Sequence, residues 1–236
     1  MALHHSPKII TNELVLALDA GDTNSYTGSG SEWTNLANPS LNASLANSPT
    51  FSSSNLGIFR FDGTDDRAFT PSVNSFGGIS THAFEMWIKS PGLGAGQSIG
   101  GLFCPDYGII SYIAPGGELV YYVYNTDNGY PGTYLHNTVV YGTNLFDDNW
   151  HHIICTRDSS TFSTYIDGVQ KTTGDGGGAW SGSTIWSDMS MQIGNNPNNV
   201  GYLFYGSIAM ARMYKKYLTP EEALQNYNAH KKRFGL

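Results

Sequence analysis

The 236-residue sequence is poor in charge, nearly free of cysteine and without a long apolar run. Charged residues make up 13% of the chain, against roughly 25% in an average soluble domain. Twelve Lys and Arg stand against 19 Asp and Glu, a formal net charge of −7. So few basic residues exclude a coiled coil and a basic nucleic-acid binder. The lack of a long apolar stretch excludes a membrane-spanning helix, so neither nucleic acid nor membrane insertion is expected. The two cysteines, Cys104 and Cys155, make neither a disulfide framework nor a four-cysteine metal site, and they read as buried free thiols. The N-terminus has no apolar core of the kind a secretory signal needs. Its longest early apolar run, Leu14-Val-Leu-Ala-Leu18, reads as a strand. Assembly in a cytosol, or export without a cleavable signal, is therefore expected.

Gly (28 residues) and Tyr (15 residues), with Asn, Ser and Thr, take the place of the missing charge. Hydrophobic residues at 40% supply enough burial to exclude a disordered chain. Apolar residues alternate with polar ones in short runs separated by turn residues, the pattern of antiparallel strands. The strand candidates are 13–19, 57–62, 67–71, 82–89, 107–113, 118–124, 150–157, 162–167, 189–194 and 203–213. Asp167-Gly168 between two β-prone runs predicts a tight hairpin, because its turn needs positive φ at both central positions. Segments 92–101, 172–182 and 195–201 read as Gly-rich loops. One helix is predicted over 220–231. Thr219 is its N-cap, Pro220 its first residue and Glu222 the far half of a capping box. Leu224, Tyr227 and Asn228 fall on one helix face, which predicts that Leu224 and Tyr227 clamp it to a sheet edge. Residues 1–12 read as an extended arm, and 13–236 as one domain. Strands without intervening helices must bury one face against a second sheet. The fold class is thus all-β: a two-sheet antiparallel sandwich with a short C-terminal helix.

Ordered blocks along the chain sharpen this. They are Leu14-Val-Leu-Ala-Leu-Asp-Ala-Gly21, Trp33-Thr-Asn-Leu36, Phe61-Asp-Gly-Thr-Asp-Asp66, Phe84-Glu-Met-Trp-Ile-Lys89, Trp150-His-His152, Tyr165-Ile-Asp-Gly168 and Phe204-Tyr-Gly-Ser-Ile-Ala209. Together they resemble the concanavalin A-like lectin/glucanase sandwich in its laminin-G-like form, of jelly-roll type. The two ends, His5-Ser-Pro-Lys-Ile-Ile-Thr11 and the stretch from Leu218-Thr-Pro-Glu-Glu to Arg233-Phe-Gly-Leu236, resemble those of tailed-bacteriophage structural proteins, especially of marine and cyanobacterial phages. That resemblance implies a virion structural protein, such as a capsid decoration, fibre or tail-associated module. It would be assembled in the host cytoplasm with other virion proteins, as a homo-oligomer. His5, Pro7, Arg233 and Phe234 are the natural assembly contacts.

The chemistry of catalysis is hard to find. Sandwich glucanases resembling this fold carry Glu-x-Asp-x-x-Glu on one strand, with two carboxylates acting as nucleophile and acid. None of the six glutamates (Glu13, Glu32, Glu85, Glu118, Glu221, Glu222) begins Glu-x-Asp. Gly96-Gln-Ser-Ile-Gly100 has the letters of a nucleophile elbow but lacks its strand-to-helix context. His151 and His152 adjoin on a strand and point to opposite faces, so they cannot chelate one ion together. No enzyme activity and no required cofactor are expected.

Two features carry binding expectations. Asp62, Asp65 and Asp66 form the densest acidic cluster. They read either as a tight turn with Asp side chains capping backbone amides, or as ligands for a structural calcium, which takes six to eight oxygens. Exposed aromatics are the second feature, because lectins of this shape stack sugar rings on Tyr and Trp. The candidates are Tyr107, Tyr112, Tyr122, Tyr124, Tyr130, Tyr134, Trp180 and Trp186. The loop-like settings of Tyr130, Tyr134, Trp180 and Trp186 make these four the expected sites for a host-surface glycan. Tyr and Trp also anchor protein interfaces, and both readings stand.

Overall fold

Strand His82–Lys89 shows how the chain divides its faces. Phe84, Met86 and Ile88 enter the core between two sheets, while Glu85, Trp87 and Lys89 face outward. The structure is a computed structural model that describes residues 7–71, 81–94, 100–103, 109–124, 134–140, 142–158, 161–175, 190–195 and 202–236. In chain order the strands are β1 (Leu14–Asp19), β2 (Glu32–Trp33), β3 (Ala43–Ala46), β4 (Thr50–Ser52), β5 (Ile58–Asp62), β6 (Arg67–Phe69), β7 (His82–Lys89) and β8 (Gly100–Phe103). They continue as β9 (Ile109–Ile113), β10 (Leu119–Tyr124), β11 (Tyr134–Val140), β12 (Trp150–Arg157), β13 (Thr161–Ile166), β14 (Val169–Asp175), β15 (Gln192–Ile193) and β16 (Tyr205–Tyr214). Helix α1 (Pro220–His230) and a 3₁₀ turn (Lys231–Phe234) end the chain.

One sheet runs β14-β13-β12-β7-β16-β5-β4, with β1 on the same edge of β16 as β5. The other runs β11-β10-β9-β8-β15-β6-β3-β2. Every described pairing is antiparallel, and the sheets close on a shared core, as the alternation predicts. Phe84, Ile153 and Met213 from the first sheet meet Ile113, Tyr121 and Ile193 from the second. Cys155 is buried there as a free thiol. Asp167 and Gly168 both take positive φ (55° and 75°), the hairpin turn that Asp-Gly predicts.

Three expectations change. Residues 172–175 are strand rather than loop, because they pair with Thr161–Thr164 as the far end of the hairpin. Gly100 and Gly101 are likewise strand, paired with Ile113 and Tyr112. Glycine content hid two strands whose partners supply the hydrogen bonds. Helix α1 keeps its capping box, with Thr219 Oγ1 accepting from the Glu222 amide at 3.3 Å and Glu222 Oε2 from the Thr219 amide at 3.1 Å. Its expected face is only partly the buried one: Tyr227 stacks on Trp87 as a clamp, but the most buried positions are others. Ala223 and Asn226 are fully buried whereas Leu224 stays 46% exposed, and α1 lies across the outer face of the first sheet rather than at an edge. The reason is polar: that sheet face carries the buried Glu85 carboxylate, to which Asn226 donates.

Candidate functional site

The outer face of the first sheet divides into a covered part and an open part. The covered part centres on Glu85, which is 0% exposed. Its carboxylate accepts from Arg212 Nη1 (2.7 Å), Tyr214 Oη (3.0 Å) and Asn226 Nδ2 (2.8 Å), and pairs with His152 Nε2 (3.0 Å). Burial works to raise this carboxyl, but the Arg212 guanidinium and His152 hold it well below the usual carboxylate range. Asn226 Oδ1 accepts from the Ile10 amide (2.8 Å), and Gln225 Nε2 donates to the Lys8 carbonyl (2.6 Å). The N-terminal segment is thus tied to the helix over the sheet. Pro7 and Lys8 also line a cleft of about 700 Å³ between that segment and α1. The Arg212 and Asp19 side chains in it are already bonded to Glu85 and Arg233.

Beside this network Trp87 stacks on Phe234 (ring centroids 4.2 Å, 18° between planes) and on Tyr227 (5.7 Å, 12°). Phe234 also packs against Trp150 at 4.6 Å. Arg233 locks the tail. It donates through Nη1 to Asp19 Oδ1 (2.7 Å), through Nη2 to the Gly57 carbonyl (2.7 Å) and through Nε to the Asn55 carbonyl (2.5 Å). Both expected assembly residues at this end are therefore engaged within the chain, and His5 lies outside the described residues.

Past Phe234 the sheet face is open. Register sets one row across it: Arg60 on β5 pairs with Ser207 on β16, Ser207 with Lys89 on β7, and Lys89 with Trp150 on β12. Tyr205, 41% exposed, stands one row further out, opposite Asp62. With Asn55, Pro91 and Asp148 these residues line a groove of about 430 Å³. Its parts are held firmly. Ser90 Oγ donates to the Tyr205 carbonyl at 2.7 Å. Gly63 has φ +72°, and a Cβ there would lie 2.9 Å from Tyr205 Cβ, so the turn packs closely on that residue. Asn55 (φ 50°), Leu56 (φ 67°) and Asp148 (φ 58°) take left-handed conformations that non-glycine residues adopt at a cost. Lys89 pairs with Asp148 at 3.4 Å. The Arg60 side chain is exposed and has no hydrogen-bond or ion-pair partner among the described residues.

The acidic turn adjoins the groove. Asp66 is 5% exposed, and its Oδ2 accepts from the Asp62 amide (2.9 Å) while Asp62 Oδ1 accepts from Thr64 (2.7 Å). One ligand oxygen from each of Asp62, Asp65 and Asp66 lies within 4.8 Å of the others. Burial pushes Asp66 up to about 6, helped by the charges of Asp62 and Asp65 and opposed by the Asp62 amide. The turn therefore has the capping bonds of one reading and the crowded carboxylates of the other. Of the aromatic candidates, Tyr107, Tyr130, Trp180 and Trp186 lie outside the described residues, and Tyr112 is buried. Tyr122 and Tyr124 sit on β10, and Tyr134 on β11 pairs with Tyr124. Sequence reasoning missed the groove residues. Arg60 alternates with core Phe59 and Phe61 and so reads as outward-facing, but its neighbours come from strands far apart in the chain.

A laminin-G-type family model of the concanavalin A-like lectin/glucanases superfamily matches residues 62–223. The chain belongs to that superfamily. Among curated proteins none matches its sequence. Solved structures of the same fold include the binding domain of paraclostridial mosquitocidal protein 1, with TM-score 0.69 and 15% identity over 93% of this chain and 52% of that one. The botulinum neurotoxin type G receptor-binding domain aligns with TM-score 0.64 and 11% identity over 92% of this chain and 51% of that one. The serotype D ligand-binding domain, solved in complex with N-acetylneuraminic acid, gives TM-score 0.67 and 11% identity over 92% and 51%. This laminin-G-like chain spans about half the length of those structures. Its fold is the one shared by the lectins and glucanases of that superfamily and by the binding domains just named. No described helix is long and apolar enough to cross a membrane.

Proposed function

We propose that the protein is a non-enzymatic, lectin-like recognition module carried by a virion as a capsid decoration, fibre or tail-associated component, and that its outer-face groove binds host-surface glycan. The observation that supports glycan binding is the open row of Arg60, Ser207, Lys89 and Trp150 beside exposed Tyr205. Concave sites that join aromatic surface to a few fixed polar groups suit sugars. The lack of catalysis is supported by Glu85, a glutamate on a central strand that is fully buried and bonded to four side chains. The virion role rests on the resemblance of the two chain ends to phage structural proteins. Homo-oligomerisation and contact with other virion proteins belong to the same reading, as does assembly in the host cytoplasm. Asp62, Asp65 and Asp66 would hold a structural calcium that steadies the turn behind Tyr205.

A second reading, a glycan-binding module of a secreted or cell-surface bacterial protein, is favoured by the bacterial toxin binding domains among the structures of like fold. Mass spectrometry of purified particles separates the two, and absence of the chain from virions overturns the first. A glycan array probed with and without calcium tests the shared part. Binding of a defined saccharide is the expected result, and a blank array in both conditions contradicts it.

A further inference from the structure

Resting on the groove as a glycan site, we infer that its ligand is an acidic saccharide whose carboxylate is received by Arg60. The chain carries a net charge of −7 and has only 12 basic residues. Two of them, Arg60 and Lys89, sit on one open row, each paired in register with Ser207. Two strand spacings separate them, roughly 10 Å. Their situations differ. Lys89 is neutralised by Asp148 at 3.4 Å. The Arg60 guanidinium lines the groove with no hydrogen-bond or ion-pair partner among the described residues. A guanidinium offers a planar fork of donors that fits a carboxylate with two parallel bonds.

The rest of the groove fits this ligand class. Ser207 supplies a hydroxyl beside Arg60, Tyr205 stands one row further out on the same strand, and half-buried Trp150 lines the far end of the row beyond Lys89. Asp148 lines the same groove and Asp62 lies opposite Tyr205. Both repel a ligand dense in negative charge. One carboxylate per sugar, as in a uronic or nonulosonic acid, meets a single unpaired cation without crowding those acids. A polysulfated or polyphosphorylated chain would not.

The test uses the full chain and paired probes: polymannuronate hexasaccharide against mannohexaose, and 3′-sialyllactose against lactose, by isothermal titration calorimetry at low and high salt. An acidic probe is expected to bind more tightly than its neutral partner and to weaken with salt. Arg60→Gln is expected to reduce that binding by roughly tenfold to a hundredfold, and Arg60→Lys to restore part of it. Arg60 is exposed, so both variants should keep the wild-type melting temperature. Equal binding of acidic and neutral partners, or acidic binding unchanged in Arg60→Gln, overturns the inference. If neutral sugars bind and Trp150→Ala abolishes them, the groove stands and only its acid preference falls. If a polysulfated probe binds best, the carboxylate assignment falls. If no probe binds, both fall.

Discussion

Arg60 and Lys89 are register partners of the same residue, Ser207, from opposite sides of β16. That relationship brings β5 and β7 together through β16, a strand more than 100 residues further along the chain. Phe234 ends the tail over Trp87 and against one side of Trp150, so that Arg60, Ser207 and Lys89 in the row of Trp150 stay uncovered. One end of the sheet face is thus closed by aromatic stacking and the Glu85 network, and the other is open.

Glu85 is the centre of the closed end. Glu85→Gln removes the charge facing buried Arg212 while keeping the side-chain volume. Breaking such a pair costs about 3–5 kcal/mol, since the remaining charge is left uncompensated. Urea unfolding should show that loss as a lower midpoint with an unchanged slope. A midpoint equal to wild type would contradict the network as drawn.

Two histidines should titrate in opposite directions. Burial and neighbouring Arg212 push His230 down to about 4, with Arg212 Nη2 donating to its ring at 3.2 Å. Its lowered value means that the unfolded chain takes the proton first. Stability from neutral His230 is therefore present above the ordinary value of about 6.5 and lost as pH falls toward 4. For His151, burial is outweighed by Asp167 (2.9 Å) and Asp147 (3.1 Å), which raise its pKa. Its contribution is full below the unfolded value and lost as pH rises through the raised one. Histidine NMR titration should place the two on either side of the ordinary value, and coincident midpoints would contradict the assignment.

Asp66 acts against His230 in the same pH window. Its carboxyl, raised to about 6, costs stability when ionised, a cost relieved as pH falls from 6 toward the unfolded value. A cation on the turn would relieve it at neutral pH. Asp66→Asn should therefore melt no lower than wild type without calcium at pH 7.5. Calcium at about 100 times its dissociation constant should add roughly 2.7 kcal/mol to wild type alone. A calcium response that survives in the variant would contradict the site.

Gly63→Ala should disturb the groove from behind. Its φ of +72° costs an alanine about 1–2 kcal/mol, and the new methyl would press on Tyr205 Cβ at 2.9 Å. Calorimetry should record a lower melting temperature together with weaker glycan binding. Weaker stability with unchanged binding would remove Tyr205 from the site.

Much of the fold was legible because strands and caps are local. The bounds 82–89 and 150–157 match the observed strands residue for residue, although both faces of these strands are covered, and Thr219 and Glu222 marked the start of α1. On the helix, Tyr227 packs on the sheet as expected, but Asn226 was missed because it counts as polar in any pattern, yet it is buried by a bond to Glu85 that no periodicity encodes. The groove was illegible for a related reason. Arg60, Lys89, Trp150 and Ser207 become neighbours only through strand order, which the sequence leaves open. Aromatic content drew attention to Tyr130, Trp180 and Trp186, whereas the exposed tyrosine that lines the groove is Tyr205.

The most direct test of the groove is an amide NMR titration of the whole chain with the saccharide that binds best on the array. The expected result is a set of shifts confined to Arg60, Lys89, Trp150, Tyr205, Ser207 and their neighbours, lost in Trp150→Ala. Shifts centred instead on Tyr130, Tyr134, Trp180 and Trp186, with the groove silent, would contradict it.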